Sequence, residues 1–98
     1  MIGYTARAAR QVAELQEHYE RERRPEAARN LDMALHDAER RIEGDPTAGL
    51  TAPRPYPTLA RPGQAWVKVG PYWVRYSTRT PLVITGVFYE TADIPRRA

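Results

Sequence analysis

The chain has 98 residues, a formal net charge of +3 and no cysteine. This length predicts one small domain over residues 1–98, and the absence of cysteine excludes a disulfide scaffold, thiol catalysis and a cysteine-ligated metal site. The apolar runs are too short to cross a bilayer, and the first residues lack the apolar stretch of a secretory signal. We therefore expect a cytoplasmic protein with no membrane association.

Positive charge is concentrated in the second half of the chain. Residues 1–50 contain 8 Arg and 10 acidic residues, a balance of −2, whereas residues 51–98 contain 6 Arg and 1 Lys against 2 acidic residues, a balance of +5. An acidic partner would therefore meet the second half. Arginine outnumbers lysine 14 to 1, which a GC-rich genome explains as readily as a need for bidentate anion contacts.

The first half has the periodicity of two helices. Met1 to Thr5 indicates a short strand, and a helical period begins at about Ala6, with Thr5 placed to cap it. This helix must end before Pro25, which suits the first position of a second helix. We expect Gly44 to be the C-terminal cap of that second helix. The apolar stripes comprise Ala8, Val12, Leu15 and Tyr19 in the first helix and Ala28, Leu31, Leu35, Ala38 and Ile42 in the second.

Residues 46–63 contain five of the nine prolines and show no periodicity. This composition indicates an ordered but irregular loop with polyproline character, and a disordered linker is the alternative. Leu50, Tyr56 and Leu59 are the residues that would attach such a loop to the rest of the domain.

The last third predicts three strands. Ala65 to Val69 and Tyr72 to Ser77 flank Gly70-Pro71, a pair that suits a type II′ turn and sets Val69 opposite Tyr72. One face of this hairpin is then apolar. A third strand, Leu82 to Glu90, is apolar on both sides, as expected of a central strand, and a short tail follows. The second face of the hairpin carries Trp66, Lys68, Trp73 and Arg75.

The predicted order of elements is therefore β-α-α-β-β-β. It corresponds to an α+β fold in which a helical hairpin packs on a small, mostly antiparallel sheet.

This order, together with four short motifs, resembles the RelE/ParE superfamily of bacterial toxins from type II toxin–antitoxin modules. The resemblance covers nearly the whole chain. It implies a cognate antitoxin that wraps the toxin in a hetero-oligomer, and the basic second half implies that the antitoxin segment is acidic and folds on binding. The motifs are Tyr4 to Ala8 at the start, Asp45 to Gly49 after the second helix, Gly70 to Tyr76 in the hairpin, and Val87 to Ile94 near the end.

The superfamily has two main activities. ParE-like members carry no catalytic set and inhibit DNA gyrase by binding, whereas RelE-like members cleave mRNA in the ribosome with several basic residues. This sequence lacks most of the RelE basic residues. Of the lysines that the family places before the second hairpin strand only Lys68 is present, and Trp73 stands where the family has an arginine. The sequence also departs from the ParE pattern, because Gly86 and Tyr89 stand where that branch usually has an arginine and a histidine on the last strand. The resemblance favours a ParE-like gyrase inhibitor that acts without catalysis.

In the alternative, a RelE-like ribosome-dependent endoribonuclease, Lys68, Arg75 and Arg79 would bind phosphate and Tyr89 would transfer a proton. Tyr89 also fits a purely structural role in the core. No cofactor and no metal site are expected, because each of the two histidines stands alone on its helix.

The hairpin face of Trp66, Lys68, Trp73 and Arg75 is the candidate partner-binding surface, with aromatic anchors and steering cations. The alternative is that the tryptophans lie under the Pro-rich loop or a helix while the cations pair across the strands. The tail adds Arg96 and Arg97, which would contact a nucleic acid or an antitoxin carboxylate, or else remain solvated.

Overall fold

A computed structural model describes residues 2–98 of the protein. The predicted α+β fold is confirmed. Met1, which the first predicted strand included, lies outside the described residues. The elements are β1 (Gly3–Tyr4), α1 (Ala6–Arg21), α2 (Pro25–Gly44), β2 (Gln64–Val69), β3 (Tyr72–Ser77), β4 (Val83–Tyr89) and α3 (Ile94–Arg97), with two 3₁₀ turns, Pro46–Ala48 and Pro57–Leu59, between α2 and β2.

Helix α1 begins and ends where local chemistry requires. The Thr5 hydroxyl accepts a hydrogen bond from the Ala8 amide at 3.1 Å, which confirms the predicted N-cap. At the other end Arg23 has φ 52°, a left-handed conformation that a residue with a Cβ adopts at a cost. The Arg24 amide donates to the Tyr19 carbonyl at 2.8 Å and so closes the last turn.

Helix α2 starts at Pro25 as predicted, but its end differs from the expectation. Gly44 belongs to the helix and has no positive φ, and Asp45 is the C-cap. The predicted glycine cap is therefore wrong. The helix stops because Pro46 follows, and the Asp45 carboxylate accepts a hydrogen bond from the Thr47 amide at 3.1 Å, which starts the next turn.

The sheet has the strand order β1-β4-β3-β2. Strand β1 pairs in parallel with β4, and the other two pairings are antiparallel. The predicted hairpin register is confirmed: Val69 lies opposite Tyr72, and Gly70 has φ 55° in the turn. Between β3 and β4 the register shifts by one residue, because Arg75 pairs with Gly86 and Tyr76 pairs with Ile84.

Both faces of the sheet are covered. The main core lies between the sheet and the two long helices, whose predicted stripes supply its helical side. A second cluster, which we call the outer cluster, lies on the opposite face and is covered by the Pro-rich segment and α3. It consists of Trp66, Trp73, Phe88 and Ile94, with Leu50, Tyr56 and Leu59 packed against it.

The Pro-rich segment is therefore ordered, and its three predicted attachment residues all contact the domain. Leu50 also forms a two-bond bridge with Trp66 at the edge of β2, with N···O distances of 2.7 and 2.8 Å. Among residues 2–98, no helix is both long enough and apolar enough to span a membrane.

Candidate functional site

Alternation along β2 and β3 places both tryptophans on the outer face of the sheet. They are buried, with 1% of Trp66 and 4% of Trp73 exposed, beneath the Pro-rich segment and α3. The two rings therefore present no exposed aromatic surface to a partner in this structure. The alternative, in which the loop covers them, describes the structure, because burying two large rings stabilises the fold more than leaving them in water.

Lys68 is paired within the protein. Its Nζ lies 2.8 Å from the Glu90 carboxylate and 5.6 Å from the centroid of the Trp73 ring. The side chain is partly exposed, so the pair contributes a modest stabilisation that salt weakens.

Arg75 is the cation that the outer face holds most firmly. Its guanidinium lies 5.5 Å from the ring centroid of Trp66 and 5.6 Å from that of Phe88. Its Nε donates to the Thr85 hydroxyl at 3.0 Å, and its Nη2 donates to the Thr85 carbonyl at 3.1 Å. Thr85 is the extra residue of the register shift, so Arg75 binds the backbone group that the sheet leaves unpaired.

Two further arginines lie near Arg75, and we call Arg7, Arg61 and Arg75 the arginine cluster. Burial lowers the pKa of Arg75, and the like charges of Arg7 and Arg61 lower it further. Arg7 and Arg61 are exposed. Three positive charges that repel one another favour the approach of an anion.

The tail packs beside the arginine cluster. Arg7 donates hydrogen bonds to the carbonyl oxygens of Arg97 and Ala98, and Arg75 also donates to Ala98. The side chains of Arg96 and Arg97 are exposed, and Arg96 lies 3.8 Å from the Asp93 carboxylate. Both therefore add positive charge to the surface next to the arginine cluster.

The four residues of the ribonuclease alternative do not meet at one place. Lys68 and Arg75 lie on the outer face, whereas Tyr89 lies on the helix face, where its ring contacts Tyr72 edge-on at 5.7 Å. Arg79 is exposed in the turn after β3, at the opposite end of the hairpin from Lys68. A phosphate held by the cations would be separated from the Tyr89 hydroxyl by the sheet.

A cavity of about 490 Å³ lies at the edge of β2, and no pattern in the sequence predicts it. It lies between β2 and residues 41–54, a continuous stretch that runs from the end of α2 into the Pro-rich segment, and Tyr76 of β3 completes its wall. Trp66 lines it, and the indole N–H of Trp66 is buried without an acceptor among residues 2–98. An unpaired buried donor costs about 1–3 kcal/mol.

The described residues contain no group of three or more His, Cys, Asp or Glu side chains arranged to hold a metal ion. Neither a scan of protein-family models nor a search of curated proteins finds a match to this chain.

Proposed function

We propose that this protein is a ParE-like toxin of a type II toxin–antitoxin module, which inhibits DNA gyrase by binding and is neutralised by a cognate antitoxin. The arginine cluster is the observation that carries the proposal. Its exposed members, Arg7 and Arg61, offer an acidic protein surface or a nucleic acid positive charge on one side of the domain, beside the exposed Arg96 and Arg97. Arg75 is held by Thr85 and adds its charge without being free for a direct contact. The proposal implies a protein that acts in the cytoplasm.

The separation of the candidate catalytic residues supports binding over ribonuclease chemistry. General acid–base catalysis requires that the proton donor and the phosphate-binding cations reach the same reacting group. Here Tyr89 and Arg75 occupy opposite faces of the sheet. Arg75 is also engaged by Thr85, and Lys68 by Glu90, so both cations already have structural roles.

A supercoiling assay with purified gyrase tests the proposal. The wild-type protein should inhibit supercoiling and trap linear, cleaved DNA. Arg61→Gln should raise the half-inhibitory concentration by about fivefold, the effect of losing one exposed charge contact of about 1 kcal/mol. Arg29→Gln removes the same charge from the exposed surface of α2, near the other end of the helical hairpin, and should inhibit as the wild type does.

The same preparations should be added to a translation extract. Transcripts cut at codon boundaries together with unaffected gyrase would contradict the proposal and favour the RelE-like alternative. Folded protein that affects neither gyrase nor transcripts would overturn both toxin activities.

The antitoxin is expected to present an acidic segment that folds on binding. We expect the product of an adjacent acidic reading frame to bind the protein and to lose affinity as salt is raised, because about 0.1 M salt screens exposed charges beyond about 10 Å. Arg61→Gln should weaken this complex and reduce its salt dependence. A complex that forms equally well at high salt would contradict the electrostatic part of the proposal.

A further inference from the structure

The segments that build the sheet carry positive charge without any carboxylate. Residues 2–13 and 46–89 form β1, the start of α1, the Pro-rich segment and β2 to β4, and they contain six arginines and one lysine but neither aspartate nor glutamate. The carboxylates of α2 approach the sheet from its helix face, where Glu39 accepts a hydrogen bond from Tyr4 at 2.7 Å. The arginine cluster gathers around Arg75 on the outer face, away from them.

A fourth arginine lies next to the arginine cluster, at the end of the sheet where β2 begins and β3 ends. The side chain of Arg79 lies against Gly63, two residues after Arg61. We call the arginine cluster together with Arg79 the basic end. None of its four members forms an ion pair with an aspartate or a glutamate in the described part of the chain. Positive charge that no carboxylate offsets attracts a polyanion.

The exposed members of the basic end are arranged to donate to oxygen atoms. Arg61 donates from Nη1 to the main-chain oxygens of Thr58 and Ala60, at 3.2 and 2.9 Å. These bonds hold the guanidinium in place and leave its Nε and Nη2 groups without an acceptor among residues 2–98. Arg7 and Arg79 are exposed as well. A guanidinium that is already held loses less conformational freedom when it binds, and its planar fork matches the oxygens of a phosphate.

The distribution of aromatic residues favours a duplex over a single strand. Proteins that bind unpaired nucleic acid stack its bases on accessible aromatic rings. The large rings of the outer face, Trp66, Trp73 and Phe88, are at most 4% exposed, and Met33 is the one large apolar side chain exposed among residues 2–98. Phosphate contacts are then the means of recognition, and a duplex offers the densest row of phosphates, about one charge per 1.7 Å of its axis.

We propose that the basic end binds the phosphate backbone of double-stranded DNA without reading its sequence. Arg7, Arg61 and Arg79 each contact one phosphate, while Arg75 stays bound to Thr85 and adds its charge from behind them. This assignment rests on the proposed function and extends it, because the arginine cluster then contacts the DNA that gyrase holds rather than the enzyme itself.

Fluorescence anisotropy measures this binding without gyrase. The 98-residue chain is titrated into a labelled duplex of about two helical turns. Between about 50 and 200 mM salt, three phosphate contacts should give a slope of about −2.7 when the logarithm of the association constant is plotted against the logarithm of the salt concentration. A single-stranded oligothymidine of the same length should bind more weakly, and equal or tighter binding of that strand would reject the duplex.

Arg61→Gln and Arg79→Gln should each weaken duplex binding by about fivefold at about 50 mM salt and reduce the slope by about 0.9. Arg29→Gln is the matched control, because it removes the same charge from the far end of the helical hairpin, and it should bind as the wild type does. Arg79 makes no side-chain hydrogen bond with the described residues, so its replacement tests the site even if the change at Arg61 alters the Pro-rich segment.

Three results would overturn the assignment. The first is an unchanged anisotropy up to about 100 µM protein at about 50 mM salt. The second is equal weakening by Arg29→Gln and the two basic-end variants, which would show an effect of net charge alone. The third is displacement of the duplex by polyglutamate at the same concentration of charge as unlabelled duplex, which would favour an acidic protein surface.

The two proposals fail in different ways. Inhibition of gyrase by a protein that does not bind the duplex would reject the DNA site and leave the proposed function standing. Duplex binding that Arg61→Gln and Arg79→Gln weaken, in a protein that leaves gyrase unaffected, would support the DNA site and reject the proposed function.

Discussion

The hydroxyl of Tyr19 on α1 forms a hydrogen bond with the hydroxyl of Tyr72 on β3. Both side chains are almost fully buried in the main core. This hydrogen bond attaches α1 to the sheet and fixes which face of the helix packs against which face of the sheet. Burial raises the pKa of Tyr72, and the hydrogen bond with Tyr19 raises it further.

This raised pKa predicts a loss of stability at alkaline pH. An unfolded tyrosine ionises near pH 10, whereas Tyr72 holds its proton in the folded state to higher pH. The contribution of Tyr72 to the free energy of unfolding is therefore fully present below about pH 10. It is lost as the pH rises above that value, because the tyrosine of the unfolded state releases its proton first. Urea unfolding at a series of pH values measures this slope.

Tyr72→Phe isolates the contribution of that hydroxyl. We expect a loss of about 1–3 kcal/mol at neutral pH, because the Tyr19 hydroxyl is left buried without its partner. The fall in stability above about pH 10 should become shallower. A variant whose slope matches that of the wild type would show that other groups, such as Tyr4 with its burial and its Glu39 contact, dominate the alkaline response.

Arg23→Gly should stabilise the protein by about 0.5–1 kcal/mol. This figure is the strain relieved in the folded state minus the entropy that glycine adds to the unfolded chain. The reason is the φ of 52° at Arg23, which glycine adopts without strain. Thermal unfolding measures the change. Arg10→Gly, in the interior of α1, should instead destabilise by about 1 kcal/mol, and equal effects of the two changes would refute the explanation.

Ile94 anchors the tail, so Ile94→Ala should cost about 2–5 kcal/mol. Its side chain is fully buried against the outer cluster. Tryptophan emission should shift to longer wavelength as Trp73 becomes solvated. Arg96→Ala, two residues further along and exposed, should stay within about 0.5 kcal/mol of the wild type.

Arg75→Lys should destabilise the protein by about 1–3 kcal/mol in spite of the retained charge. Lysine cannot reproduce the two contacts of the guanidinium with Thr85, so the carbonyl at the register shift loses its donor. Denaturant unfolding gives the difference. The same exchange at the exposed Arg79 should change stability by less than about 0.5 kcal/mol, and an equally small effect at Arg75 would contradict its structural role.

The hairpin register could be predicted because two independent signals agree. Gly70-Pro71 determines which residues face each other, and the alternation of apolar residues determines which face is buried. The apolar stripes of the two helices could be predicted equally well, because apolar residues recur at helical spacing several times along each helix. Because several residues support each helix, one wrong detail such as the Gly44 cap does not change the prediction of the helix itself.

The outer cluster could not be predicted in the same way. Ile94 is one apolar residue in a helix of four, which is too short to show a period. Burial of Trp66 depends on a Pro-rich segment that has no regular pattern, although its apolar residues did mark the attachment points. The register shift that leaves Thr85 unpaired depends on how β3 pairs with β4, and the sequence around Thr85 has no pattern that predicts it.

The parallel pairing of Gly3 with Val83 has a consequence for folding. β1, α1 and β3 all pack on β4. The helical hairpin and the β2–β3 hairpin can form from local contacts, but the sheet is completed only when β1 and β4 meet across most of the length of the chain, and contacts so distant in sequence slow folding. Until they meet, the apolar faces of the two hairpins stay exposed, so refolding at high protein concentration should lose more of the chain to aggregation than refolding at low concentration.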